Sequence, residues 1–146
     1  MQTKIVWQDK MQFTGELGEH RVAIDAKKPI GGGEGFTPKE LLAMGIASCS
    51  GMDAVAYLRK YKQALESFSV LTNVIPTEGV TPSVFKDVAL VFQFVGDMDP
   101  DLVLESVELS QTKYCGVSAM IVKAVPISYK VFLNEKEIGS GEAKFT

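Results

Sequence analysis

The feature that most limits the fold is a long apolar helix, predicted over residues 37–62. Thr37 can accept a hydrogen bond at the helix N-terminus and Pro38 suits the first helical position. Glu40 lies where it completes a capping box with Thr37. Along most of the helix the only charged side chain is Asp53, and small residues are frequent. The pattern predicts a central helix that is buried on most sides and that other backbone segments can approach closely.

Strands are predicted on both sides of this helix, because short segments there alternate polar and apolar residues or are rich in β-branched residues. Turns are predicted at residues 8–10 and 15–19, where polar residues and glycine cluster. The order of elements predicts one α+β domain over residues 1–146, with antiparallel strands at both ends. The other predicted elements are strands at 4–7 and 20–25, a hairpin of 67–78 with 84–95, helices at 99–113 and from 115, and strands at 127–133 and 137–145.

Composition restricts the environment and the partners. Apolar residues make up 46% and charged residues 23%, as in ordinary globular proteins. Fifteen basic and eighteen acidic side chains leave a net charge of −3, which does not favour nucleic acid or an anionic membrane. No apolar run is expected to reach the ~20 residues that cross a bilayer, and the first residues lead into a strand instead of a signal peptide. We therefore expect a cytoplasmic protein without a nucleic-acid or membrane partner.

The two cysteines need an explanation other than a structural disulfide, because such bonds are rare in a reducing compartment. Cys49 lies in the apolar helix, where it is either a small core residue or a reactive thiol. Cys115 stands where a predicted helix begins, and a helix N-terminus favours the thiolate. Asp53 lies one turn after Cys49, and its charge would raise the pKa of that thiol. The spacing of the cysteines is not that of a C-x-x-C motif, and it leaves open whether the two sulfurs meet.

Other ligand sites are not predicted. The glycine-rich loop at residues 31–35 lacks the G-x-G-x-x-G spacing and the Walker lysine, and Glu34 would repel an anion. His20 is the only histidine and is expected at the surface. The sequence therefore predicts no bound cofactor and no metal.

Two segments resemble the OsmC/Ohr family. Residues 35–52, GFTPKELLAMGIASCSGM, are similar to the family's helix segment, in which a Thr/Asn-Pro start leads through small residues to a cysteine. Residues 113–118, KYCGVS, are similar to the family's second cysteine motif, usually Cys-Pro followed by Ser. The order of predicted elements also matches, so the resemblance covers essentially the whole chain.

The resemblance implies a thiol-dependent peroxidase built as an intertwined homodimer, with two active sites at the subunit interface. In the family the helix cysteine attacks an organic hydroperoxide and becomes a sulfenic acid. A second cysteine then forms a disulfide with it, which a dithiol reductant, such as a lipoyl-type one, reduces. Carried onto this chain, the resemblance implies that Cys49 is peroxidatic and Cys115 resolving.

The chain departs from the family at the polar partners of the first cysteine. A catalytic arginine and a glutamate form a pair in the hydroperoxide-resistance branch. Here Lys39 occupies the glutamate position and Glu40 follows it. The chain has two arginines, Arg21 and Arg59, and Arg21 is the better candidate for the catalytic arginine. Lys27 or Lys28 in its place would supply only a point charge, without the two directed donors of an arginine. The alternative is therefore an OsmC-like redox or ligand-binding protein with weak or no peroxidase activity.

Overall fold

The computed structural model describes all residues from 1 to 146. The chain divides into two compact units, Met1–Ala43 and Met44–Thr146. Such a division does not show that either unit folds alone. A single domain over the whole chain therefore stays a prediction.

The first unit contains an antiparallel three-stranded sheet in the order β1-β2-β3. Its strands are β1 (Lys4–Asp9), β2 (Gln12–Leu17) and β3 (His20–Ile24). The turn predicted at residues 15–19 is wrong over residues 15–17, because these residues belong to β2 and Gly15 is buried within it. A Cβ on Gly15 would lie 2.9 Å from a methyl group of Val22, so this glycine permits close packing between strands and does not form a turn.

The long helix α1 spans Pro38–Lys60, which confirms its predicted start. The N–H of Thr37 donates to Glu40 Oε2 at 2.9 Å, and the N–H of Glu40 donates to Thr37 Oγ1 at 3.3 Å. This is the capping box expected from the sequence. Arg59 and Lys60 lie in the last turn, where cations interact favourably with the helix dipole.

The second unit contains a four-stranded sheet in the order β4-β5-β6-β7. Strands β4 (Ala64–Pro76) and β5 (Phe85–Asp97) form the predicted antiparallel hairpin. Strand β6 (Ile127–Leu133) runs parallel to β5, since helices connect the two. Strand β7 (Lys136–Glu142) returns antiparallel to β6.

Three helical segments connect β5 to β6. Helix α2 spans Pro100–Leu109, a π-helical turn spans Ser110–Tyr114, and helix α3 spans Gly116–Ile121. The sequence predicts one helix to about residue 113, whereas the α-helical hydrogen bonding ends at Leu109. The wider π turn follows, and it holds buried Ser110 and Gln111.

The core of the second unit combines α1 and α2 with the central strands of the sheet. The side chains on β5 and β6 alternate between buried and more exposed positions, as a half-buried sheet requires. Helices and two sheets together confirm the α+β prediction. The most deeply buried apolar side chains are Ile46, Leu58, Val88, Leu90, Phe92, Phe94, Val103, Val107, Ile127 and Val131.

Helix α1 is long and apolar enough to cross a bilayer by length and composition alone. The expectation that no apolar run approaches that length is corrected accordingly. The same composition is typical of core helices in soluble proteins, so it is only a weak indication of a membrane span. One stripe of α1 is fully buried, while Met44 and Met52 on another face are 46% and 73% exposed in the single chain.

Candidate functional site

The two cysteines lie together in the second unit. Cys49 is half-buried on α1, and Cys115 is fully buried at the start of α3. Their Sγ atoms and a carboxylate oxygen of Asp53 all lie within 4.8 Å of one another. Cys49 and Asp53 share a helix face because residues four apart in a helix are neighbours. The tertiary fold brings Cys115 to that face.

The position of Cys115 follows from the local backbone. Its N–H donates to Ser110 O at 2.9 Å, which closes the π-helical turn. The backbone of Cys115 is then extended, and α3 begins at the next residue. The N–H of Ser118 donates to Cys115 Sγ at 3.3 Å. Cys115 is therefore the N-cap of α3, with its thiol in the place of the usual hydroxyl or carboxylate.

A buried polar network supports the Cys115 thiol. Ser50 Oγ lies 3.4 Å from Cys115 Sγ and 3.3 Å from Ser118 Oγ, and it also lies 2.9 Å from the carbonyl oxygen of Ile46. Gln111 Nε2 donates to Ser50 Oγ at 2.8 Å. The side chains of this network are inaccessible to solvent. Sequence patterns miss this network, because buried serines and a glutamine have no distinctive spacing.

Burial is the main influence on the pKa values of Cys49 and Asp53, the two partly exposed groups of the cluster. Burial raises the pKa of the Cys49 thiol, a hydrogen bond from the Val117 N–H opposes this, and the neighbouring Cys115 and Asp53 raise it further. Burial also raises the pKa of Asp53, against a hydrogen bond from Ser110. The expectation that Asp53 would raise the thiol pKa is confirmed, as a smaller effect than burial. The site therefore disfavours negative charge.

The two other predicted catalytic residues lie in the first unit. Arg21 is exposed, and its Nε lies 3.5 Å from Glu16 Oε1. Glu40 forms an ion pair with Lys27, whose hydrogen bond is the largest cause of the lowered pKa of Glu40. Glu40 thus has a lysine partner instead of an arginine. Catalytic roles for Arg21 and Glu40 stay predictions.

The glycine-rich loop binds a side chain of its own chain. Asp25 is 2% exposed, and its carboxylate accepts hydrogen bonds from the N–H groups of Ala26 at 2.7 Å, Gly32 at 3.1 Å and Glu34 at 3.0 Å. These donors lower the pKa of Asp25, the N–H of Glu34 most strongly. Sequence patterns do not identify this role of Asp25, and the available signal is an acidic residue shortly before a glycine-rich loop. His20 is exposed.

Comparisons with known proteins settle the family. The family model described as OsmC-like protein matches residues 31–130. The chain belongs to the OsmC family. Protein YhfA of Escherichia coli K12 is 32% identical over 132 residues, covering 88% of this chain and 95% of YhfA.

Solved OsmC-family structures share the fold. An OsmC-like protein from Mycoplasma pneumoniae superposes with a TM-score of 0.79 at 15% identity, over 90% of this chain and 95% of that one. An organic hydroperoxide resistance protein OsmC from Legionella pneumophila superposes with a TM-score of 0.61 at 22% identity, over 88% of this chain and 93% of that one. The family resemblance read from the two cysteine segments is therefore confirmed.

Proposed function

We propose that this protein is a thiol-dependent peroxidase that reduces organic hydroperoxides, with Cys49 as the peroxidatic and Cys115 as the resolving cysteine. The observation that carries the proposal is the placement of the two sulfurs within 4.8 Å of each other. The hydroperoxide resistance protein among the structural relatives supports the substrate class.

The reaction has three steps. The Cys49 thiolate attacks the terminal oxygen of the hydroperoxide and breaks the O–O bond, so that Cys49 becomes a sulfenic acid and the departing alkoxide takes up a proton to form the alcohol. The Cys115 thiolate then attacks the Cys49 sulfur and displaces hydroxide, which takes up a proton to form water and leaves a disulfide. A dithiol such as dihydrolipoamide reduces the disulfide by thiol–disulfide exchange and is itself oxidised. We place this cycle in the cytoplasm, where thiols are kept reduced.

The hydrogen bonds at the sulfurs fit these steps. The Val117 N–H donates to Cys49 Sγ and stabilises its thiolate. Ser118 N–H and Ser50 Oγ lie against Cys115 Sγ, so the thiolate that leaves when the disulfide is reduced has donors ready. Because burial raises the Cys49 pKa, the first step is expected to speed up with rising pH.

A homodimer is part of the proposal. An apolar groove of about 660 Å³ lies between α1 and β4, with Met44, Gly51, Met52, Phe68 and Val70 among its lining residues. Exposed apolar surface of this kind marks association surfaces in soluble proteins. A second copy covering α1 would bury this face, as the family resemblance implies. Sedimentation of a monomer at micromolar concentration would contradict this part of the proposal.

The test is to add cumene hydroperoxide and dihydrolipoamide to wild type, Cys49→Ser and Cys115→Ser. Wild type should consume peroxide catalytically and, without reductant, lose two hydrogens in intact mass. Cys115→Ser should stop after one turnover with an oxygen added to Cys49, whereas Cys49→Ser should be inert. Equal peroxide consumption by wild type and Cys49→Ser would refute the peroxidase.

The second candidate is an OsmC-like redox or ligand-binding protein with little turnover. Lys39 at the family's glutamate position and the ion pair of Glu40 with Lys27 favour it. A Vibrio cholerae relative, which superposes with a TM-score of 0.66, was crystallised with captopril in one of its active sites. Titration calorimetry with captopril tests this function. Saturable binding without peroxide turnover would establish the second candidate, and rapid turnover without captopril binding would remove it.

A further inference from the structure

A second property of the cysteine cluster follows from its third member. Cys49, Asp53 and Cys115 present two sulfurs and a carboxylate oxygen within 4.8 Å of one another. Two thiolates and a carboxylate are ligands that zinc accepts, and three protein ligands leave its fourth position open. We propose that these three side chains form a zinc site in the reduced protein. This goes beyond the proposed peroxidase, although it uses the same sulfurs.

The spacing of the three atoms fits a tetrahedral ion. With Zn–S near 2.3 Å and Zn–O near 2.0 Å, ligand atoms lie about 3.5–3.8 Å apart. The three atoms lie within 4.8 Å of one another, so each pair has to close by at most about 1.0–1.3 Å. Cys49 and Asp53 are partly exposed on one helix face and can adjust by side-chain rotation. Cys115, which is buried, provides the fixed point.

Each ligand already has a hydrogen-bond donor that holds it. Ser110 Oγ donates to Asp53 Oδ2 at 3.0 Å. Ser118 N–H donates to Cys115 Sγ at 3.3 Å, and the Val117 N–H donates to Cys49 Sγ. Outer hydrogen bonds of this kind orient metal ligands and keep them deprotonated.

One buried amide connects these supports. Gln111 Nε2 donates to Ser50 Oγ at 2.8 Å and to Ser110 Oγ at 3.4 Å, so it links the serine behind Cys115 with the serine behind Asp53. Gln111 is fully buried, and its Oε1 has no hydrogen-bond partner. Buried acceptors without partners are uncommon in folded proteins and often accompany functional sites. The amide thus connects the hydrogen-bond donors behind two of the proposed ligands.

A divalent cation also resolves the electrostatic problem of the cluster. Two thiols and a carboxylate meet here, with Cys49 and Asp53 partly buried and Cys115 fully buried. Zinc binding would supply two positive charges where up to three negative groups meet. A groove of about 490 Å³, lined by Asp53, Tyr57 and Glu105 among others, reaches the carboxylate member of the cluster.

Zinc and the catalytic disulfide exclude each other. Two sulfurs joined by a covalent bond cannot both bind the ion as thiolates. Zinc would therefore hold both thiols in a protected state and inhibit the peroxidase reversibly. A chelator would restore turnover by removing the ion.

The test is zinc titration of the reduced full-length chain in competition with a chromophoric chelator. Wild type should bind one equivalent per chain, and cobalt(II) in its place should give a thiolate-to-metal charge-transfer band. Asp53→Asn should weaken zinc binding at least about tenfold, since even outer-shell changes cost 10–100-fold. Asp101→Asn, at an exposed position on α2, is the matched control and should bind as wild type.

Several outcomes would overturn the zinc site. They are less than one equivalent bound, no charge-transfer band, or equal affinities of wild type and Asp53→Asn. Cys115→Ala should also abolish the one-equivalent binding, with circular dichroism confirming that the variant is folded. Peroxide turnover without zinc binding would overturn only this inference, whereas zinc binding without turnover would overturn only the proposed peroxidase.

Discussion

Two aspartates show how one side chain type serves different purposes in this protein. The carboxylate of Asp25 accepts hydrogen bonds from the N–H groups of Gly32 and Glu34 in the glycine-rich loop and from that of the adjacent Ala26. Asp53 lies beside two thiols and is partly exposed. The pKa of Asp25 is lowered and that of Asp53 is raised.

The difference lies in the hydrogen-bond donors. Asp53 accepts a hydrogen bond from Ser110, which does not offset the effect of burial on its pKa. Asp25 has enough backbone donors to hold its charge despite near-complete burial. A fully satisfied carboxylate organises a loop, whereas an under-satisfied one beside thiols remains available for a proton or a metal ion.

The largest expected effect is a difference in stability between Asp25→Asn and Asp53→Asn at pH 7. The amide introduced by Asp25→Asn would have to turn its NH2 group toward a backbone N–H, which leaves buried donors facing each other. Asp53→Asn removes a charge that the folded site disfavours, so this variant should stay within about 1 kcal/mol of wild type. Urea denaturation measures both. Equal denaturation midpoints for the two variants would contradict the conclusion that the Asp25 carboxylate stabilises the fold more than the Asp53 carboxylate does.

The glycine loop itself provides the next prediction. A Cβ on Gly31 would lie 2.3 Å from Ala26 O and 2.5 Å from Asp25 Oδ1, so Gly31→Ala should cost about 1–3 kcal/mol. Gly116 has nothing within 4 Å of its Cβ position, so Gly116→Ala is the control and should be nearly neutral. Thermal denaturation distinguishes them. A Gly31→Ala variant as stable as this control would show that the loop does not close on Asp25.

The pH dependence of Cys49 reactivity should reveal the raised pKa of its thiol. Burial raises the thiol pKa above its ordinary value of 9.0, so little thiolate exists at neutral pH. Alkylation by iodoacetamide, measured with a chelator present, should therefore keep rising beyond about pH 9, roughly tenfold per pH unit below the pKa. Asp53→Asn removes one repulsive charge and should move the curve slightly to lower pH. A plateau below about pH 8 would contradict this protonation state.

The smallest effects are expected in acid stability, with opposite signs. The pKa of Asp25 in the folded protein lies below its ordinary value of 3.8. The ionised carboxylate therefore contributes fully to the stability of the fold above pH 3.8, and this contribution is lost as the pH falls through the folded pKa. The pKa of Asp53 in the folded protein is raised, so its ionised carboxylate destabilises the fold. This destabilisation is relieved as the pH falls through the folded pKa toward 3.8. Denaturation of wild type and of both Asp→Asn variants from about pH 3 to pH 7 measures these slopes. Parallel curves for the two variants would contradict the opposite shifts.

The parts of the fold that depend on neighbouring residues were predictable. The capping box of Thr37 and Glu40, the hairpin of β4 and β5, and the helix beginning after Cys115 all follow from short-range patterns. Strand β2 was partly missed because Gly15 has the composition of a turn. Gly15 allows close packing against the side chain of Val22, which lies on another strand.

The sequence by itself determined the family, the α+β class and the shared helix face of Cys49 and Asp53, because cysteine motifs and helical periodicity are local properties. Only the tertiary structure decided that Cys115 meets that face and that the N–H groups of Gly32 and Glu34 in the loop bind Asp25. It also decided the protonation preferences, since burial and donor number depend on segments far apart in the chain. The chemistry of the two cysteines therefore depends on contacts that no local pattern encodes.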